Sequence, residues 1–200
     1  MKSLKSYIQE KLIIKKSNSY KYFPKDKNEL KDLVEKRIKQ EGNEVDLNDI
    51  DVSKITDMTA LFGGTNFNGD ISGWDVSNVT NMSYIFYKCE EFNQDISSWD
   101  VSNVTDIQSM FYECKAFNQD ISSWDVSNVT NMNAMFDWCE NFNQNISSWD
   151  VSNVTDMSNM FYRCSKFNQD ISNWDVSNVK NINYVFVYCP LEKKYKPKFK

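Results

Sequence analysis

The chain has 200 residues, 40% of them hydrophobic and 14% aromatic, and a net charge of -5. That composition supports a packed core and excludes a disordered chain. The absence of His removes the commonest general base, proton shuttle and metal ligand, so an enzyme is not expected.

The charge is segregated. Residues 1–42 carry 12 Lys/Arg against 6 Asp/Glu, residues 43–190 carry 6 against 21, and residues 191–200 carry 5 against 1. A basic head and tail therefore flank an acidic body that repels nucleic acid and anionic membrane. For the basic ends the plain reading is a solvated helix face and a frayed tail. Leu12-Ile13-Ile14 is too short for a signal-peptide core or a membrane span, so a cytoplasmic protein is expected.

Within residues 1–42, Leu4, Ile8 and Leu12 predict a short amphipathic helix. Tyr20–Phe23 before Pro24 reads as an extended piece. Asp26 or Asn28 then caps a second helix with Leu30, Leu33, Val34 and Ile38 on one face, and Gly42 stops it. This unit, residues 1–43, has no repeat and is expected to be an N-terminal cap.

From there a phrase typified by DISSWDVSNVTDIQSMFYECKAFNQ recurs every 25 residues. Trp74, Trp99, Trp124, Trp149 and Trp174 mark it, as do Cys89, Cys114, Cys139, Cys164 and Cys189. A period of this length means stacked repeat units. Leu47-x-x-Ile50-x-Val52-x-x-Ile55 is a first copy with Ile50 at the Trp position, shortened by one residue near Gly63–Thr65. Six strand-like pieces follow: 47–52, 71–76, 96–101, 121–126, 146–151 and 171–176. After each, residues such as Met157, Met160, Phe161 and Cys164 fall at i, i+3, i+4, i+7, predicting a helix capped by Thr80, Thr105, Thr130 or Thr155. Lys180 replaces that Thr in the last copy, and Pro190 ends the array before the basic tail, residues 191–200.

The I-x-x-W-x-V spacing matches L-x-x-L-x-L, and the DIS-x-WDVSNVT and MF-x-x-C-x-x-F segments resemble those of BspA-like leucine-rich repeat proteins, often called surface proteins. The likeness covers about residues 45–189. It implies a solenoid that binds other proteins or host surfaces, and it brings no catalytic residues. The expected fold is thus α/β: a leucine-rich-repeat-like right-handed solenoid of six coils over residues 44–190, with short parallel strands, short helices and a helical N-terminal cap.

Repeated positions then form columns about 4.8 Å apart. Asp51, Asp75, Asp100, Asp125, Asp150 and Asp175 make one on the expected sheet face, flanked by Ser such as Ser98 and Ser102. Neighbouring charges at that spacing repel by about 1 kcal/mol even in water, so the carboxylates need local donors, cations or a basic partner. The calcium β-roll nonapeptide is absent, and neither metal nor other cofactor is expected. The Trp column is expected in the core, each indole N–H seeking a carbonyl, with an outward aromatic stripe as the other reading. The Cys set, without a C-x-x-C pair, reads as reduced buried thiols on a helix face, although stacking makes a disulfide conceivable. Asn68 and Asn78 begin two columns of structural Asn.

Positions that differ between copies, Lys88, Tyr112-Glu113, Asp137-Trp138 and Tyr162-Arg163, are where specificity is expected. Trp138, the one Trp outside its column, with Tyr87, Tyr112, Tyr162 and Tyr188, forms either a half-buried helix flank or an aromatic contact band. The function expected is a monomeric, non-enzymatic scaffold offering its acidic face or this band to an unknown, basic protein partner. The alternative is an exported adhesin for host or matrix components.

Overall fold

The computed structural model describes residues 20–199. The cap region contains one α-helix, α1 (Lys27–Glu41). Asp26 is its N-cap and accepts hydrogen bonds from the Asn28 and Glu29 N–H groups, while Gly42, at φ 94°, closes it by donating to the Ile38 carbonyl. Leu30 and Val34 are fully buried against the first repeat copy. Before the helix, Tyr22 pairs in parallel with Ile50. The expected helix around Leu4, Ile8 and Leu12 lies outside the described residues.

The repeats stack in register, but not as an α/β solenoid. Among the described residues there is no sheet: the strand content is a set of isolated parallel bridges, Asp57–Asn81–Asp106–Asn131–Asp156–Asn181. The segments 47–52, 71–76, 96–101, 121–126, 146–151 and 171–176 are turns rather than strands. In the third copy the Trp99 N–H bonds the Ile96 carbonyl and the Val104 N–H bonds the Val101 carbonyl. Asp95 and Asp100 initiate these turns by accepting from the N–H two residues on. The I-x-x-W and V-x-x-V spacings are therefore turn corners, with their apolar ends pointing inward, and they mimic a strand pattern.

The expected helices are absent for a related reason. The N–H groups of Met82, Tyr84, Phe86 and Lys88 donate to the carbonyls of Asp106, Gln108, Met110 and Tyr112 in the next copy. Those of Ile85, Tyr87 and Cys89 fold back three residues, onto Met82, Tyr84 and Phe86. Alternate donors thus leave the segment, and a continuous i→i−4 helical ladder cannot form. The segment also carries left-handed residues, Tyr84 at φ 61° and Lys88 at φ 59°, matched by Ser109 and Glu113, Ala134 and Trp138, Asn159 and Arg163, and Tyr184 and Tyr188. Thr80, Thr105, Thr130 and Thr155 are not helix caps. Each of the last three donates its N–H and hydroxyl to the Thr carbonyl one copy back, and Thr80 does the same to Thr56.

Inside, the aromatic rings form columns. Phe62, Phe86, Phe111, Phe136, Phe161 and Phe186 succeed one another at 5.5–5.8 Å. A second column, beginning at Phe67 and Phe92, packs against the first at 3.8–4.2 Å. The Trp column is buried, as expected, and each indole N–H donates to a carbonyl one copy back, Trp99 to Ile71 and Trp124 to Ile96. The Cys are free and do more than fill space: Cys114, Cys139 and Cys164 donate S–H to the buried carbonyls of Phe86, Phe111 and Phe136 at 2.8–2.9 Å. Burial pushes the Cys89 thiol up to about 11 and holds Cys114, Cys139 and Cys164 well above the ordinary thiol range, which keeps the proton that this bond needs. In the first copy Thr65 holds the Cys position, its hydroxyl donating to Phe62. The missing residue falls after Thr65, where Asn66 alone precedes Phe67.

The basic tail is docked rather than frayed over its described part. Leu191 is buried, the Tyr195 carbonyl accepts from the Ile171 N–H, and the Phe199 ring lies 6.4 Å from Phe186.

Two outcomes follow from this architecture. Far-UV circular dichroism should show a helical signal no larger than α1 and any helix in residues 1–19 provide; strong helicity scaling with the number of repeats would contradict the turn structure. Phe111→Ala should lower unfolding free energy by about 3–5 kcal/mol in denaturant titration, because its cavity opens in a column closed on both sides.

Candidate interaction surface

The turn chemistry places three acidic or amide columns on the repeat stack. In the expected one, Asp75, Asp100, Asp125, Asp150 and Asp175 are exposed and Asp51 is half-buried. In each, Oδ1 accepts from the N–H of the Ser two residues on; at Asp51, Asp75, Asp100 and Asp125 the Ser hydroxyl donates as well, at 2.6–2.7 Å. The hydroxyl and then the N–H of Ser127 hold Asp125 below the ordinary carboxylate range, and Ser152 does the same for Asp150 against repulsion from Asp125 and Asp175. Ser102 is such a partner. Ser98 is not: its hydroxyl donates to the Ser72 carbonyl and ties two copies together.

A second exposed column, Asp70, Asp95, Asp120, Asn145 and Asp170, was not singled out in the sequence. Its members initiate the preceding turn in the same way. Bonds from the N–H and side chain of the Ser two residues on hold the four carboxylates low. Two rows of acidic side chains, the second interrupted by Asn145, therefore border the same run of turns.

The third column is buffered. Asp57, Asn81, Asp106, Asn131, Asp156 and Asn181 alternate acid and amide along the parallel bridges, and all are half-buried. The Asn131 and Asn181 amides donate to Asp106 and Asp156 one copy back. No two carboxylates are adjacent where burial makes repulsion costly. This strict alternation is visible in the sequence once the 25-residue register is applied.

The aromatic band lies along the left-handed turns. Tyr112 stacks on Tyr87 at 4.8 Å, and burial followed by the Glu113 carboxylate pushes its hydroxyl up to about 12. Tyr162 meets Tyr188 edge-on at 5.7 Å. Between these pairs Asp137 takes the Tyr position and is buried, and its Oδ1 has no partner among the described residues. Burial and the Glu113 charge push Asp137 up to about 7, and Arg163 opposes them. Above it the Arg163 guanidinium lies 4.2 Å from the Trp138 ring centre and 4.8 Å from that of Tyr188, its Nε buried and unpaired. Trp138, Glu140, Arg163, Ser165 and Tyr188 line an open depression of about 360 Å³. Asp137-Trp138 and Tyr162-Arg163 are among the variable positions expected to carry specificity; the burial of Asp137 and the placing of Arg163 between Trp138 and Tyr188 are visible only in the fold.

Among the described residues no group of three or more Cys, Asp or Glu is placed to hold a metal ion, and no helix is long and apolar enough to cross a membrane. A family profile described as "Mycoplasma protein of unknown function, DUF285" matches the chain twice, over residues 28–136 and 118–195. No curated protein and no solved structure matches.

Asp137 generates a pH prediction. Its folded pKa is raised above the unfolded carboxylate value, so its contribution to stability is complete below about pH 4 and is lost as pH rises through about 7. The Asp125-type carboxylates act in the opposite sense, so the comparison must be differential. Relative to the parent, Asp137→Asn should gain stability as pH rises from 4 to 8 in thermal melts. A pH-independent difference would exclude the raised pKa.

Proposed function

We propose that this chain, which belongs to the DUF285 family of Mycoplasma proteins of unknown function, is a non-catalytic binding protein that presents its exposed carboxylate rows to a basic protein partner. One observation carries the reading. The carboxylates of Asp75, Asp100, Asp125 and Asp150 are exposed and held in one orientation by their own Ser, and among the described residues these four make no ion pair. Local donors satisfy Oδ1 and set the geometry without neutralising the charge. Rows of like charge, repeated at the copy spacing and pre-organised, fit a partner surface bearing Lys or Arg at matching intervals. They act chiefly on association rate and partner choice.

The same field disfavours phosphate backbones, so nucleic acid is not the proposed partner.

The test is charge reversal. Asp100→Lys, Asp125→Lys and Asp150→Lys together should weaken binding to immobilised polylysine, and to any basic partner recovered from the native source, by about tenfold or more at low salt. Reversing Glu90, Glu91 and Glu140 gives a control of equal net charge. If both triple variants lose binding equally, net charge rather than the Asp column is responsible.

A further inference from the structure

The bonds that join the copies run in one direction, and they end at the last copy. In the preceding copy, the N–H groups of Met157, Asn159, Phe161 and Arg163 donate to the carbonyls of Asn181, Asn183, Val185 and Val187. The equivalent donors of the last copy are Ile182, Tyr184, Phe186 and Tyr188. Among the described residues none of these four N–H groups has a partner, although Val185, Val187 and Cys189 make their usual turn bonds.

Apolar exposure collects at the same place. Among the described residues six large hydrophobic residues are exposed, and four of them, Ile182, Tyr184, Val187 and Tyr188, belong to this edge, at 37–68% exposure. The tail does not cover it. Leu191, Tyr195 and Phe199 pack on the core instead, through the Ile171–Tyr195 bond and the Phe186–Phe199 contact. Edges of this kind are ordinarily blunted by Lys, Pro or a bulge, and Ile182–Tyr188 contains no Lys or Pro.

We propose that this edge is a docking site for an extended, acidic segment of a partner protein, which adds to the stack as one more rung. Two arguments select that occupant. The first is continuity: five interfaces of the same kind within the chain are filled by main-chain carbonyls at two-residue spacing, so the occupant supplies carbonyls in that rhythm. The second is charge. Lys180 precedes the edge and Lys196 lies 5.1 Å from the Phe186 ring, so this end of the acidic body is locally basic.

A second copy of the chain fits poorly. Two such edges face to face would oppose N–H to N–H. The carbonyl end of a second copy is covered by α1, whose Leu30 and Val34 are fully buried and whose Lys27 pairs with Asp57 at 3.3 Å.

The chain supplies a probe. Residues 105–113, Thr-Asp-Ile-Gln-Ser-Met-Phe-Tyr-Glu, are acidic, lack Cys and contain the carbonyls that serve Met82, Tyr84, Phe86 and Lys88. A synthetic peptide of that sequence should shift the backbone amide resonances of Ile182, Tyr184, Phe186 and Tyr188 in the ¹⁵N-labelled full chain. It should also slow their hydrogen exchange by about tenfold. Ile182→Glu with Val187→Glu, both at exposed positions, should abolish the response while leaving the remaining spectrum unchanged. The proposal is overturned if the peptide leaves these four amides unmoved, if a scrambled peptide acts equally, or if unlabelled full-length chain alone produces the same shifts, which would make a second copy the occupant.

Discussion

Everything in this fold depends on the alternation of backbone donors between the copy and its neighbour. Of the N–H groups from Met82 to Cys89, four leave for the next copy, while three return to their own turn. A helix satisfies its interior from within, and a strand sends its bonds outward to neighbours on both sides. Here the chain does half of each, which requires the next copy to be present and in register. Stability is then a sum of interface terms rather than a property of any one copy. The two ends consequently become the places where the pattern must be terminated.

The register also dictates side-chain chemistry. Identical positions become neighbours, so a residue is chosen against its own copies. Phe and Trp profit, because stacked rings add contact at each step. Carboxylates suffer, and the three columns answer differently. At the half-buried bridges, acid alternates with amide, and at the exposed turns, Ser hydroxyls and backbone N–H groups hold the charge. Cys recurs because the buried Phe carbonyl accepts one bond from its own turn and has capacity for a second. A thiol of the following copy supplies that bond in a space too small for most polar side chains, whereas the Thr65 hydroxyl donates within its own turn, to a Phe62 carbonyl that also takes the Cys89 S–H.

Much of this was legible from periodicity alone: the repeat, its register, the buried Trp, Phe and Met, α1 with its caps, and the Asn columns. The expected strands and helices were not, because apolar spacing reports which residues face inward and not how the backbone gets them there. I-x-x-W-x-V puts Trp and Val inside whether it is a strand or two turns, but only the turns also bury the Ile three residues before the Trp. The deciding signal was the Asp or Asn two residues before a Ser at each corner, the mark of a turn that competes with regular structure. Residues 95–97 and 100–102 carry it in every later copy, with Asn145 replacing Asp once. For the site, the Asp75 column was legible because it is invariant. Asp137 was legible only as a position that differs between copies; its burial was not, since that depends on what stands at 112 and 162.

The left-handed positions reveal what the ladder makes possible. Lys88, Glu113, Trp138, Arg163 and Tyr188 share φ values of 56–59°, a conformation that disfavours any residue with a Cβ by about 1–2 kcal/mol. A free turn would be expected to select Gly or Asn, as the first copy does with Gly64. The later copies use five different side chains, so the bonds to the adjacent copy hold the backbone whatever the residue. Conformation and identity are uncoupled at this position. That freedom permits an Arg to be clamped between Trp138 and Tyr188 with a buried carboxyl beneath it. Variation without structural constraint, retained at a conformational cost, is where a repeat protein of this kind can place its recognition chemistry.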